Sequence, residues 1–398
     1  MTQPLTSASI GTTTVPEQPR TVAERAPRLD SLTGLRWWAA FAVFAHHMSN
    51  LAPLPIHETL AFGTYGVTLF FVLSGFVLTW SARPGVTAPT FYWRRVARIY
   101  PSHVVALLLA VPVFYSFTPD PAEWWVKPVA AGVLLLSVVL LQGWSLDPAI
   151  TFSGNPAAWT LTCEFFFYAL HPALHRLFGR VKARGALVLT VLTFAAAFLY
   201  RLAAWRWPDS WLGDVPHPVV RLSEFVIGIG IARAMLAGWR VRLRPLWCYL
   251  GSAALIAWLL RSREHSFDSP VLRGVADLTR VTTAEWIIVA CTAMIAAIAW
   301  SDVTGRRSLL RTRPLVRLGE WSFAFYLVHA TFVYALRDVY GLQPVAWTNL
   351  RWYVPLLLVS LAAAAALHHA VERPLERRLR AWWEGRAERR STGARRLP

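Results

Sequence analysis

Long apolar segments alternate with short polar ones along almost the whole chain. Eleven apolar segments have lengths close to that of a membrane-spanning helix, and they cover residues 34–52, 63–81, 102–117, 127–143, 158–177, 185–203, 218–237, 245–261, 283–300, 319–338 and 351–370. About 20 consecutive apolar residues cross the hydrocarbon core of a bilayer as one α-helix, and a helix satisfies its own backbone polar groups in lipid. The pattern therefore predicts an all-α polytopic integral membrane protein.

The basic residues of the polar segments predict how these helices are oriented. Cytoplasmic segments are enriched in Lys and Arg, and the clearly basic polar segments are 20–28, 83–100, 176–184, 238–244, 301–318 and 373–396. Residues 53–62 and 142–157 hold no Lys or Arg and are expected outside, whereas 261–282 has mixed charge.

This assignment places both ends of the stretch 100–180 in the cytoplasm, although three apolar segments lie within it. Two ends on the same side of the membrane require an even number of crossings, so only two of the three segments can cross it. One segment within 102–143, a stretch that contains Pro112 and Pro128, is therefore expected to be re-entrant or interfacial. The prediction is about ten transmembrane helices with both termini cytoplasmic.

The two ends of the chain are polar. Residues 1–27 are rich in Ser, Thr and Pro and lack the apolar core of a signal peptide, so they are expected to form a disordered cytoplasmic tail. Residues 377–398 form a basic cytoplasmic tail that favours an anionic inner leaflet. Residues 28–376 form one transmembrane domain without an internal repeat.

The composition agrees with a membrane protein and argues against nucleic-acid binding, a disulfide framework and a metal site. The chain is 55% hydrophobic and only 16% charged, against about 25% charged residues in soluble proteins. The net charge of +18 comes from segments between the apolar ones, so it indicates topology and not nucleic-acid binding. Cys163, Cys248 and Cys291 lie inside apolar segments and form neither a disulfide framework nor a metal motif, and no metal site is expected.

The first apolar segment carries two ionisable residues, Arg36 and His47. They are eleven positions apart, close to three helical turns, so both face the same side and their Cα atoms lie about 16 Å apart along the axis. Ionisable residues within a membrane are costly and mark functional sites by default. In the alternative interpretation Arg36 reaches the cytosolic interface and His47 the outer one. His46 leaves open which histidine acts.

Three arginines precede the third apolar segment. Arg94, Arg95 and Arg98 are expected at its cytosolic mouth, and Arg94 and Arg98 share a helical face. Such a cluster suits a phosphate-bearing ligand because guanidinium groups bind phosphate in a bidentate manner. Ordinary positive-inside charge is the alternative.

Further polar residues lie inside other apolar segments. Glu164 needs a cation or its own proton there, and a structural salt bridge is the alternative to a functional role. Tyr168 follows it on the same face. His329 is either functional or a satisfied core histidine. Ser74 precedes Gly75, a pair more typical of close helix packing than of a nucleophile.

In depth order, these residues place cations at the inner mouth and a histidine with a carboxylate beyond them. This layout suits the transfer of an acyl group from a cytosolic thioester to a hydroxyl. His47 would be the general base, and Glu164 would orient its imidazole, as a carboxylate does in hydrolytic triads.

Several motifs together resemble the membrane acyltransferase family 3, which includes O-antigen, peptidoglycan and macrolide O-acyltransferases. They are LDSLTGLRWWAAFAVFAHH with its Arg36 and His47, FFVLSGF, the arginine segment before Ile99-Tyr100-Pro101, the segment Trp159–Tyr168, and Ser322 to His329. The resemblance covers about residues 29–376, and the family's usual ten spans agree with the count above.

The resemblance implies transfer of an acyl group, commonly acetyl, from acyl-CoA as co-substrate to a hydroxyl of a carbohydrate or a glycosylated small molecule. No bound cofactor is implied. His47 and Glu164 are the catalytic candidates and Arg36, Arg94, Arg95 and Arg98 the donor-side candidates. The supporting candidates are Ser74, Trp159, Tyr168, Tyr326 and His329.

The expected setting is the plasma membrane, crossed many times, with acyl-CoA, an acceptor and the bilayer as partners and no nucleic acid. No fused esterase-like domain is expected, because the chain ends soon after the last apolar segment. A transporter or flippase for an anionic or glycan-lipid substrate is the alternative, since it also uses intramembrane charges. It would show a duplicated half, which this sequence lacks.

Overall fold

The computed structural model describes residues 27–264 and 267–394, and these residues are almost entirely helical. Their α-helices are α1 (Asp30–Met48), α2 (His57–Ala61), α3 (Gly66–Trp80), α4 (Ala88–Phe114), α5 (Ala131–Val138), α6 (Pro148–Thr151), α7 (Trp159–Gly179), α8 (Ala183–Arg206), α9 (His217–Val220), α10 (Leu222–Leu236), α11 (Pro245–Glu264), α12 (Pro270–Val281), α13 (Thr283–Val303), α14 (Arg313–Tyr340), α15 (Leu350–Leu367) and α16 (Arg373–Ala394). The all-α prediction is confirmed. The predicted disordered tail lies, up to residue 26, outside the described residues.

Short elements connect these helices. Two two-residue strands, β1 (Tyr115–Ser116) and β2 (Lys127–Pro128), pair in parallel. Single 3-10 turns lie at Phe62–Tyr65, Gln142–Trp144, Pro156–Ala158, Trp211–Asp214, Leu309–Arg311 and Trp347–Asn349. A π-helical turn, His368–Glu372, joins α15 to α16 without a break.

Five helical stretches in the described part are long and apolar enough to cross a membrane: His57–Trp80, Ala88–Phe114, Ala183–Arg206, Thr283–Val303 and Trp347–Arg386. They indicate a membrane protein. The count of ten spans and the cytoplasmic placement of the termini stay predictions. Helices α1, α7 and α14 are not among the five, and they are the helices in which the sequence places most of its intramembrane polar candidates.

The region between residues 83 and 143 differs from its prediction in one respect. The third apolar segment was expected to begin at residue 102, but α4 begins at Ala88 and continues for 27 residues. The three arginines therefore lie on a helix. Helix α5 has eight residues and is about 12 Å long, too short to cross about 30 Å of hydrocarbon alone. Helix α4 is therefore long enough to be the membrane-crossing helix of this region, whereas the helix within 127–143 is not.

Helix α1 is held at both ends, which fixes its orientation in the centre of the bundle. At its start, the Ser31 N–H and hydroxyl both donate to the Asp302 carboxylate at the end of α13, at 2.8 and 2.6 Å. This carboxylate satisfies one of the free N–H groups of the helix N-terminus. Beyond its end, the Asn50 amide donates to the Tyr334 hydroxyl of α14 at 3.0 Å.

Glycines allow two helix pairs to approach closely. A Cβ on Gly75 of α3 would lie 2.0 Å from the Phe225 carbonyl oxygen of α10, and a Cβ on Gly228 of α10 would lie 2.0 Å from the Val72 carbonyl oxygen of α3. The same holds for Gly319 of α14, whose Cβ would lie 1.8 Å from the Thr33 carbonyl oxygen of α1. Only glycine fits at such contacts, so these pairs are locked in one register.

Candidate active site

The candidate general base, His47, is hydrogen-bonded to a second histidine. Nδ1 of His47 lies 3.1 Å from Nε2 of His329 on α14 and 3.1 Å from the Val43 carbonyl oxygen. Nδ1 of His329 lies 3.0 Å from the Phe325 carbonyl oxygen. His329 is fully buried, so both partners of its ring are protein atoms.

These contacts assign the proton positions on both neutral rings. A carbonyl oxygen only accepts, so Nδ1 of His329 carries its proton and Nε2 accepts. Nδ1 of His47 faces two acceptors, the Val43 carbonyl oxygen and Nε2 of His329, so it carries the proton and the lone pair of His47 lies on Nε2. A histidine in this tautomer is prepared to accept a proton from a substrate through Nε2.

Aromatic rings hold the pair in place. The Phe325 ring stacks on His329 at 5.5 Å between centroids with 10° between the planes, and Phe44 contacts the same imidazole at 6.3 Å. His46 lies 5.2 Å from the His47 ring, but its Nδ1 is buried without a hydrogen-bond partner among the described residues. The geometry therefore favours His47 over His46.

A cavity of about 160 Å³ lies among α1, α3, α4, α7 and α14. Its polar lining includes many of the candidates from the sequence: Arg36, Ser74, Arg95, Arg98, Thr160, Glu164, Tyr168 and Tyr326. Within it, the Glu164 carboxylate accepts hydrogen bonds from the Tyr168 hydroxyl at 2.9 Å and from the Ser74 hydroxyl at 3.3 Å. Ser74 is thus a hydrogen-bond donor, while its neighbour Gly75 provides the close packing.

The structure does not pair His47 with Glu164. The Glu164 carboxylate accepts from Tyr168 and Ser74, whereas Nδ1 of His47 contacts the Val43 carbonyl oxygen and Nε2 of His329. The group that orients His47 is His329, and whether Glu164 takes part in catalysis stays a prediction.

The three clustered arginines have different surroundings. Arg95 lines the cavity, with its guanidinium 5.6 Å from the Phe91 ring and 6.0 Å from the Tyr168 ring. Arg98 also lines the cavity and forms ion pairs with two glutamates of the C-terminal segment. Arg94 is not among the lining residues and pairs with Glu384.

Tyr326 joins the cavity to the histidine pair. Its ring lines the cavity and lies 6.0 Å from the His329 ring. Its hydroxyl accepts from Thr160 at 3.2 Å and donates to the Ala157 carbonyl at 3.3 Å. Trp159 does not line the cavity; it begins α7, with its ring 5.2 Å from that of His217.

Comparison with known proteins identifies the family. A family model described as an acyltransferase domain matches residues 29–369. The chain belongs to this acyltransferase family. The resemblance seen in the sequence is confirmed, and the protein is an acyltransferase, which favours an enzyme over the transporter alternative.

Relatives of this acyltransferase are similar over most of its length. Acyltransferase MdmB of Streptomyces mycarofaciens is 33% identical over 395 residues, covering 89% of this chain and 93% of the relative. Nodulation protein 10 of Rhizobium leguminosarum bv. viciae is 25% identical, covering 85% and 91%. The O-acetyltransferase OatA of Staphylococcus aureus is 21% identical, covering 89% of this chain and 58% of the relative. No solved structure matches the chain.

The acyltransferase also contains buried charges that the sequence analysis missed. The Arg221 guanidinium lies 3.0 Å from the Glu224 carboxylate and donates to the Thr68 hydroxyl at 3.3 Å. Arg201 pairs with Glu285 at 3.1 Å. Glu224 and Glu285 lie inside apolar segments, as Glu164 does, so the same reasoning could have identified them.

The part of the acyltransferase that the structure describes offers no obvious metal centre. No group of three or more His, Cys, Asp or Glu side chains in it is arranged to hold a metal ion, and its three cysteines are buried and free. The chemistry that the site can perform with its own groups is proton transfer at His47, with cationic binding of an anionic ligand at the cavity.

Proposed function

We propose that this acyltransferase transfers an acyl group, most simply acetyl, from acyl-CoA in the cytoplasm to a hydroxyl group of a carbohydrate or glycosylated small molecule, within the plasma membrane. The observation that carries the proposal is the His47–His329 pair, which leaves Nε2 of His47 free to act as a base. A relative named as an O-acetyltransferase supports oxygen as the acceptor atom.

The reaction needs one proton acceptor. Nε2 of His47 removes the proton of the acceptor hydroxyl while the oxygen attacks the thioester carbonyl. The tetrahedral intermediate collapses by breaking the carbon–sulfur bond, and the thiolate of CoA leaves and takes up the proton from His47. The products are an ester and free CoA. The imidazolium formed in between keeps its Nδ1–H bond to neutral His329, and hydrogen bonds from a charged donor are stronger than neutral ones.

The donor would bind with its phosphates at the arginine side of the cavity. Arg36 and Arg95 both line the cavity, and guanidinium groups suit phosphate oxygens. His47 lies about 16 Å along α1 from Arg36, so the donor must carry its reactive carbonyl at the end of a long arm. Acyl-CoA has this shape, with its phosphates at one end and its thioester at the other.

The test is transfer of radiolabelled acetyl from acetyl-CoA to a panel of glycosides, using membranes that contain wild type, His47→Ala or His46→Ala. We expect label in a glycoside with wild type and His46→Ala. Loss of the base should slow the reaction about 10²–10⁴-fold in His47→Ala. Normal transfer by His47→Ala would overturn the assignment of the base. If wild type transfers nothing to any acceptor and the purified protein does not bind CoA, the donor assignment is wrong.

A further inference from the structure

The C-terminal helix α16 lies against the arginine face of α4. Arg94 Nη2 lies 2.8 Å from Glu384 Oε1, and Arg98 Nη1 lies 3.0 Å from Glu376 Oε2. Glu372, at the end of the π-helical turn, is fully buried and also lies 2.8 Å from Arg98 Nη1. Two of the three clustered arginines of α4 are therefore already bound to carboxylates of the same chain.

Tryptophans fix the helix in this position. Trp93 Nε1 donates to the Leu379 carbonyl at 2.8 Å, and Trp383 Nε1 donates to the Thr90 hydroxyl at 3.1 Å. The Trp93 and Trp383 rings stack at 5.3 Å with 17° between their planes. The contact between α4 and α16 is thus specific in register and not a loose approach of charges.

The acidic residues of α16 are the ones that bind the arginines of α4. Glu376 and Glu384 form ion pairs with Arg98 and Arg94, whereas four arginines of α16 are exposed: Arg373, Arg377, Arg378 and Arg386. Glu376 also pairs with Arg380. A helix that carries mostly basic residues therefore presents its carboxylates to the arginines that would receive phosphate.

Arg95 is the exception in the arginine cluster. It lines the cavity, its Nε is buried without a hydrogen-bond partner, and no carboxylate lies within 4.0 Å of it among the described residues. Arg95 is therefore open to an anion in the cavity, whereas Arg94 is held by Glu384 and Arg98 by Glu376 and Glu372.

We propose that α16 is an internal competitor of the donor: Glu376 and Glu384 occupy Arg98 and Arg94 until the phosphates of the donor displace them. This inference rests on the proposed function. Glu372 stays in place during the exchange, because it is buried and lies 3.2 Å from His368 Nδ1 as well as beside Arg98. The π-helical turn that contains both residues is then the point from which α16 moves.

The experiment measures binding of CoA itself to the purified full-length protein in lipid nanodiscs. The variant is Glu376→Gln with Glu384→Gln, and the matched control is Glu58→Gln with Glu320→Gln, which removes the same charge from two exposed glutamates that also pair with arginines. We expect the variant to bind CoA about three- to tenfold more tightly than wild type, with no change in the control. Glu384→Gln alone, at a half-exposed position that does not threaten folding, should show part of the gain.

A change in CoA affinity in the opposite direction would indicate that the glutamates have a structural role. If the glutamates only position the arginines, the variant binds CoA as well as wild type or more weakly, and the competitor proposal is overturned while the proposed function stands. If wild type and both Gln variants all fail to bind CoA, the acyl-CoA donor is wrong and the competitor proposal falls with it. Hydrogen exchange of the amides of α16 gives a second measurement: it should rise when CoA binds to wild type, and unchanged exchange would contradict displacement of the helix.

Discussion

At the scale of single residues, the site depends on which ring nitrogen of each histidine carries a proton. The Phe325 carbonyl fixes this for His329, and the Val43 carbonyl and His329 together fix it for His47. The sequence could identify Arg36, His47 and Glu164 as unusual because each is an ionisable group inside an apolar segment. It could not identify the partner of His47, since contact between α1 and α14 is set by packing over a separation of 282 positions.

Substitution of His329 tests whether its hydrogen bond to His47 supports catalysis. His329→Ala removes one of the two acceptors that Nδ1–H of His47 faces and leaves only the Val43 carbonyl, so the His47 ring is held less firmly. We expect kcat to fall about 10²-fold with little change in the KM for the donor, whose anionic end binds elsewhere.

His329→Gln provides the control for this prediction. The Gln side-chain oxygen can still accept a hydrogen bond from Nδ1–H, so it should restore part of kcat. An equal loss in both variants, or a loss confined to the donor KM, would show that His329 acts through packing and not through the tautomer.

At the scale of helices, the apolar pattern located the helices of the site but not all of their bounds. The segments 34–52, 158–177 and 319–338 correspond to α1, α7 and α14, although their polar residues keep these three from being among the helices apolar enough to cross a membrane. The start of α4 was missed because its first turns are polar and basic, and the apolar pattern begins only later. Hydrophobicity therefore predicts that a helix exists better than it predicts where the helix begins.

The reciprocal glycine contact between α3 and α10 gives a prediction at this scale. Gly228→Ala places a Cβ 2.0 Å from the Val72 carbonyl oxygen, so the helices must separate, at a cost of about 1–3 kcal/mol of folding free energy. Gly251→Ala in α11 meets nothing within 4 Å and should instead stabilise its helix by about 0.5–1 kcal/mol. Thermal unfolding of the two purified variants checks the signs. A Gly228→Ala variant as stable as wild type would show that the helices are not locked at this crossing.

At the scale of the whole molecule, the basic residues cluster in particular polar segments of the chain. The net charge of +18 lies mostly in the polar segments between apolar ones, which is why the topology could be predicted without knowing any helix contact. The same reasoning counted charges without asking which face they occupy. It therefore treated the C-terminal segment as a basic tail, and missed that Glu376 and Glu384 bind α4.

The orientation of the chain can be measured with single cysteines. We predict that Pro55→Cys reacts with a membrane-impermeant maleimide in intact cells, whereas Ser308→Cys reacts only after the membrane is opened, because residues 53–62 lack basic residues and 301–318 are rich in them. The native cysteines are buried and provide a low background. Labelling of Ser308→Cys from outside would reverse the orientation assigned to α14.

The π-helical turn between α15 and α16 sets the rotational phase of everything that follows it. Such a turn holds one residue more than an α-helix would, and each residue in a helix corresponds to about 100° of rotation. Without the extra residue, α16 would present a different side to α4, and its carboxylates would point away from Arg94 and Arg98. A single deletion in His368–Glu372 would therefore turn Glu376 and Glu384 away from α4 and break both ion pairs while every side chain of α16 stays the same.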